Sequence, residues 1–215
     1  MYFNNEDSRK RIAGMGHRGF IGGQTPEMWY GIGMLQYHYL VAQGLRPSSK
    51  FLDIACGSLR LGQYLIPYLD KGNYFGLDAE PGLIEAGLAY ELPSEIVAMK
   101  TPVFATNTDF DFSFIGRFDF AMAQSLFTHL VMQDIDICFK NLRDKAHKDS
   151  RFYFTFFEGD SSNNQHDVSH ANRRWVYSPQ ELSETAGSRG WKLDYIGAWN
   201  HPREQMMMLA TPSGG

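Results

Sequence analysis

Apolar and polar positions along this chain switch between a strand-like and a helix-like period, and the switches mark its elements. Phe51 to Ala55 is a short apolar run that reads as a buried strand. Ala55-Cys56-Gly57-Ser58 turns the chain, and Leu61, Leu65 and Leu69 then recur on one helix face. Pro67 predicts a kink or an early end to that helix. A second strand runs from Asn73 to Asp78, and a helix follows from about Pro81 to Tyr90 with Leu83, Ile84 and Leu88 inward. Pro102 to Phe104 and Phe118 to Ala123 are further strands. Ile135, Cys138, Phe139 and Leu142 then fall on one helix face. Arg151 to Phe157 is apolar on both alternating faces, the pattern of a central strand. Ser178-Pro179-Gln180-Glu181 is a capping box that opens a helix, and Gly190 ends it. Trp191 to Gly197 and Glu204 to Ala210 read as a final antiparallel pair. Upstream, Thr25 caps and Pro26 starts a helix reaching about Ala42, with Gly44 as its stop.

The strand, small-residue turn and helix start around Gly57 form a pattern that cradles ligands. Small residues admit a ligand close to the backbone, and the first N–H groups of a helix point outward unpaired. Asp53 lies in the strand before the turn. Asp78 ends the next strand about 20 residues after the turn, where an acid accepts hydrogen bonds from ribose hydroxyls in nucleotide-binding α/β folds. Many α/β domains share the bare pattern and bind nothing there.

With Gln124-Ser-Leu-Phe-Thr-His129 after the fourth strand, the set resembles the class I S-adenosylmethionine-dependent methyltransferases, from roughly Phe51 to Thr211. Motif I of that family is an acid-x-Gly-x-Gly-x-Gly turn. Here Ala55 and Leu59 stand at the first and third glycine positions and only Gly57 is retained. Leu59 puts a side chain where a close approach is usual. The resemblance implies a Rossmann-like α/β fold with a seven-stranded sheet, helices on both faces and a C-terminal antiparallel hairpin. The hairpin separates this pattern from nicotinamide oxidoreductases, which continue with parallel strands. It implies S-adenosyl-L-methionine as cofactor, with Asp53, Ala55, Gly57, Arg60, Asp78, Asp109, Phe110, Gln124 and Ser125 as binding residues. Asp109 would meet the exocyclic amine of the adenine and Phe110 its ring face, while an Asx-type turn is the plainer reading of that loop. His129 is the expected general base, its ordinary pKa near 6.5 suiting that work; a capping or core histidine is the alternative.

Charge and composition narrow the partner. The net charge of −4 gives no general attraction to nucleic acid or an anionic membrane. The Asn/Asp-Pro-Pro-aromatic motif of nucleic-acid amino-methylating enzymes is replaced by Gln124-Ser-Leu-Phe. No apolar run approaches the ~18 residues of a membrane span, no signal peptide is expected, and Cys56 and Cys138 are expected to be reduced, in keeping with a cytoplasmic protein. Expected at the acceptor are His17, Arg18, Tyr30, His166, His170, Arg173, Arg174, His201 and Arg203. The arginines among them suit an acidic small molecule, such as a sugar phosphate or another phosphorus-containing acid, methylated on oxygen; surface arginines paired with nearby acids are the alternative. A weaker resemblance to bacterial enzymes with a Gly-Ser-Leu-Arg turn implies sugar or surface-polysaccharide metabolism. Residues 1–24 are expected to be a mobile lid or leader, and 25–215 a single domain acting as monomer or homodimer without a bound metal. A non-catalytic cofactor-binding protein of the same fold is the rival reading, which the altered motif I permits.

Overall fold

The computed structural model describes residues 5–214, which group into two units, 5–106 and 107–214. In the first unit, helix α1 (Asn5–Phe20) occupies the stretch expected to be a lid or leader, and it breaks at Gly16, where φ is 75°. A π-helical turn (Glu27–Gly31) leads into α2 (Ile32–Ala42). Thr25 caps this start as expected, its hydroxyl accepting from the Met28 N–H at 3.3 Å. Gly44, at φ 97°, ends it.

Three strands follow: β1 (Phe51–Ile54), β2 (Tyr74–Asp78) and β3 (Val103–Thr106). They pair in parallel in the order β3-β2-β1, with Asp53 opposite Gly76 and Asp78 opposite Thr106. Parallel strands need crossovers, and the helices α3 (Gly62–Tyr68), α4 (Pro81–Tyr90) and α5 (Ser94–Lys100) provide them. All four residues of β1 are buried, as the continuous apolar run requires. Pro67 lies inside α3, which ends a residue later. The sequence reading did not include α5. Its start at Pro93-Ser-Glu has a proline before an acidic first turn, a signal available in the sequence.

The second unit holds β4 (Phe118–Ala123), α6 (Met132–Arg143) and β5 (Ala146–Glu158). A two-residue β6 (Val176–Tyr177) pairs with the end of β5, then come α7 (Pro179–Ser188), β7 (Trp191–Ala198) and β8 (Met206–Pro212). The strand order is β4-β5-β8-β7, with β4 and β5 parallel. Strand β8 inserts antiparallel between β5 and β7, which is the expected terminal hairpin. The fold is the expected α/β one, with eight strands among the described residues instead of seven. The extra strand is β6, too short to show a period in sequence. Helix α7 opens with the expected capping box between Ser178 and Glu181.

Aromatic rings fill the core of this unit. Phe127 packs 4.7 Å from Phe154 and 5.5 Å from Phe139, centroid to centroid, and Phe139 lies 6.0 Å from Phe152. The Trp191 indole N–H donates to the Phe139 carbonyl at 2.9 Å, which ties β7 to α6. All four phenylalanines are fully buried. Phe139→Ala should therefore lower the unfolding free energy by about 3–5 kcal/mol, measured by urea denaturation. A loss under about 1 kcal/mol would mean that this ring cluster does not carry the core.

Candidate active site

The turn after β1 has an unusual backbone. Ala55, Gly57 and Leu59 take φ values of 62°, 53° and 65°, so every position of the three-glycine motif is left-handed. An L-residue pays roughly 1–2 kcal/mol in that region, yet the conformation persists without two of the glycines. Leu59 does not intrude on the cradle. It is fully buried, and an added Cβ at Gly87 would lie 2.7 Å from its Cγ, while one at Gly62 would lie 3.0 Å from its Cβ. Those two glycines make the room that a third motif glycine would otherwise leave.

Two buried acids hold the turn. Asp78 accepts from the Gly57 N–H at 2.7 Å and from the Glu80 N–H at 2.9 Å. Burial pushes its pKa up to about 6 against those two bonds. Asp53 accepts from the Tyr74 hydroxyl at 2.7 Å. Burial, offset by that bond and reinforced by the charge of Asp78, raises its pKa to about 7. Burial, with the two acids nearby, also pushes the Cys56 thiol well up, so it is a small core residue and no nucleophile.

Among the described residues of this unit, Ser58 Oγ, Glu80 Oε2 and Trp29 Nε1 are buried with no protein partner. Buried polar groups are nearly always satisfied, so such orphans need an explanation. A polar ligand beside the turn supplies one, and the glycine-like backbone gives it close access. The residues present thus fit a nucleoside-bearing cofactor.

Cationic and aromatic side chains of the same unit surround the turn. Arg60, 6% exposed, donates to the Ile21 carbonyl and lies over the Trp29 ring. Ile21 covers Gly57, and an added Cβ there would meet its Cδ1 at 3.1 Å. Arg18 and His17, expected at the acceptor, both bond to Glu91. Tyr30 remains 41% exposed with the Arg18 guanidinium 5.1 Å from its ring centre.

In the second unit, Gln124 and Ser125 end β4 in a polar network. The Thr155 hydroxyl accepts from the Ser125 N–H at 2.7 Å and donates to Gln205 Oε1 at 2.8 Å. Gln205 donates to the Ser125 hydroxyl, and Gln124 Nε2 lies 3.2 Å from Gln205 Oε1 and 3.1 Å from His201 Nε2. The Trp199 ring stacks on His201 at 5.3 Å. Ser125 is itself left-handed at φ 61°. Thr155 and Gln205 were absent from the sequence reading. Thr155 is the one polar residue in the run Phe152-Tyr-Phe-Thr-Phe-Phe157, a signal that the apolar alternation concealed.

His129 ends a short 3-10 turn (Phe127–His129). Its Nδ1 lies 2.6 Å from the Arg173 carbonyl, and the His129 carbonyl accepts from the His170 N–H at 3.1 Å. A carbonyl only accepts, so Nδ1 carries the proton and the neutral ring presents Nε2 as a lone pair. Burial lowers the His129 pKa; the Arg173 bond opposes this, and the charges of Arg203 and His170 add to it. The structure therefore gathers His129, His170, Arg173 and Arg203. Arg174 lies 3.8 Å over the Phe157 ring. His166 goes elsewhere, into a cleft of about 440 Å³ with Asp167, Trp175 and Glu181. The carbonyls of Asp109 and Phe110 accept from Asn141, and Phe110 is buried 6.5 Å from Phe112.

The fold is that of the S-adenosylmethionine-dependent methyltransferases. The chain superposes on magnesium protoporphyrin IX methyltransferase (ChlM) from Synechocystis PCC 6803 with bound SAM, at TM-score 0.67 and 16% identity, covering 99% of each chain. The DhpI–SAH complex matches at TM-score 0.69 and 14% identity over 100% of both chains. A TehB-like SAM-dependent methyltransferase from Corynebacterium glutamicum ATCC 13032 Kitasato matches at TM-score 0.64 and 20% identity, over 98% of this chain and 100% of that one. No protein-family model and no curated protein sequence matches the chain.

The raised pKa of Asp53 fixes a pH dependence. A carboxyl whose pKa rises on folding favours the folded state fully below its unfolded value of 3.8, and loses that contribution as pH rises through about 7. Asp53→Asn cannot ionise and keeps an acceptor for Tyr74. Relative to the variant, the wild type should lose stability between about pH 4 and about pH 8 in urea unfolding. A constant difference across that range would place the ionisation of Asp53 at its ordinary value.

Proposed function

We propose that the chain is an S-adenosylmethionine-dependent methyltransferase acting on a small polar acceptor, with oxygen as the acceptor atom. The observation that carries this reading is the left-handed backbone at Ala55, Gly57 and Leu59, kept in place by Asp78. Strain of that kind persists where a ligand needs the backbone close. The orphaned atoms on Trp29, Ser58 and Glu80 support it.

Bound S-adenosylmethionine supplies a methyl group already activated on a sulfonium, so the protein must chiefly align the acceptor and, for a hydroxyl, take its proton. Asp78 keeps lone pairs beyond those used by Gly57 and Glu80, and these would hold the ribose hydroxyls. Gln124 and Ser125, fixed in turn by Thr155 and Gln205, would hold the methionine portion. Asp53 supports the cradle from inside the strand, and Asp109 and Phe110 are the proposed contacts to the adenine. His129 takes the acceptor's proton at Nε2. Its lowered pKa keeps the ring neutral and ready at pH 7.

The acceptor is an anion. In the first unit Arg18 bonds to Glu91 and Arg60 to the Ile21 carbonyl, so the cations near His129 in the second unit are the proposed substrate contacts. Arg203 and His170 lie close enough to act on the charge of His129. With Arg173, Arg174 and His201 they suit a phosphate or carboxylate, as on a sugar phosphate or another phosphorus-containing acid. Sugar or surface-polysaccharide metabolism in the cytoplasm fits such an acceptor.

Two variants test the reading. Asp78→Ala should weaken S-adenosylhomocysteine binding by about 1.5–3 kcal/mol in calorimetry, the worth of hydrogen bonds to a charged group. Unchanged affinity would remove Asp78 from the site. His129→Gln should leave that affinity intact and lower turnover of a phosphorylated sugar by about a hundredfold. The wild-type acid limb should fall with a midpoint below the ordinary imidazole value, and a variant with full turnover would leave alignment alone as the mechanism.

A further inference from the structure

We propose that Glu91 is a latch that holds the N-terminal segment closed over the cofactor turn and so controls how fast the cofactor exchanges. The inference rests on the reading of that turn as the S-adenosylmethionine site. Glu91 stands just past the end of α4, and its side chain is only 2% exposed. Arg18 grips it with two parallel bonds, Nε to Oε1 and Nη2 to Oε2, each 2.7 Å. His17 Nε2 donates to Oε1 at 2.7 Å, and the His17 ring stacks on Tyr90 at 5.5 Å. A buried carboxylate thus takes three charge-assisted or polar bonds from two consecutive residues of one segment. Burial alone would raise the Glu91 pKa, but the bonds from Arg18 and His17 outweigh it and hold the carboxyl below its usual range.

What the latch secures lies a few residues further on. Gly22 and Gly23 follow Ile21, and the Gly23 N–H donates to the Arg18 carbonyl at 2.7 Å, which turns the chain back. That turn sets Ile21 against Gly57, and Arg60 bonds the Ile21 carbonyl from below. The Arg18 guanidinium also lies 5.0 Å from the Trp29 ring centre. Ile21 therefore covers the one glycine of the motif turn, and it can leave only when the segment lifts. The left-handed break at Gly16, where no neighbour lies within 4 Å of an added Cβ, and the glycines at 22 and 23 bracket the moving piece as hinges. A bidentate arginine pair on a carboxylate shielded from water keeps the segment down, while the Arg18 side chain, 37% exposed, lets that one contact open as a unit.

Glu91→Gln keeps the size of the side chain and removes the charge. Stopped-flow displacement of S-adenosylhomocysteine from the full chain should show release about tenfold faster or more, the scale of losing one charge-assisted bond. Hydrogen exchange should show residues 8–22 losing protection while β1 and β2 keep theirs. Ile21→Ala, which removes the cover and spares the latch, should speed release without exposing α1 to exchange. A wild-type chain that does not bind S-adenosylhomocysteine would overturn the site reading and this inference with it. A chain that binds it but releases it at the same rate in wild type and Glu91→Gln would overturn the latch alone. Loss of protection across β1 and β2 as well would make Glu91 a general stability residue and also overturn it.

Discussion

One hydrogen bond, from the Gly57 N–H to the Asp78 carboxylate, organises the first half of the molecule. It ties the turn after β1 to the end of β2. With it in place the chain passes three left-handed residues within five positions, two of them not glycine. The cost is visible in the same residues: Asp53 and Asp78 are both buried, and burial raises both their pKa values. An arrangement that strains its backbone and desolvates two acids is poorly explained by stability alone. Sites that must meet a ligand in one geometry carry such strain.

The chemistry divides between the two units in a way that follows from their strands. The first unit holds the turn, the Asp78 carboxylate and the unsatisfied polar atoms, each at or just beyond the carboxyl end of a parallel strand or in a helix beside it. The second holds the groups proposed for the proton transfer. His129 donates from Nδ1 to the Arg173 carbonyl, and burial, with the charges of Arg203 and His170, lowers its pKa. A polar network anchored on Thr155 and Gln205 sets the backbone of Ser125. Open α/β folds place ligand groups at such carboxyl edges. The fold explains where these residues stand, and only their own geometry argues for what they do.

Much of this was legible in sequence because period and capping are local. The strands from Phe51, Asn73, Phe118 and Arg151, the capping box at Ser178 and the terminal hairpin all followed from spacing. The place of Asp78 at the end of the second strand also followed. What escaped has physical reasons. Leu59 looked like an obstruction because it puts a side chain where a close approach is usual; its accommodation depends on Gly62 and Gly87, distant glycines whose role appears only in three dimensions. The pairing of Arg18 and His17 with Glu91 could not be read in sequence, because Glu91 is more than 70 residues away. The helix over Asn5–Phe20 was hidden by its glycines, and β6 is two residues long.

The central claim is that the turn around Gly57 holds the cofactor with Asp78 as its ribose acid. Crystals of the full chain grown with S-adenosylhomocysteine address it directly. The account predicts ligand density against the Gly57 backbone, with both ribose hydroxyls within hydrogen-bond distance of the Asp78 carboxylate and Ile21 closed over it. Density for the ligand at any other place, with the turn bare at saturating concentration, would contradict it.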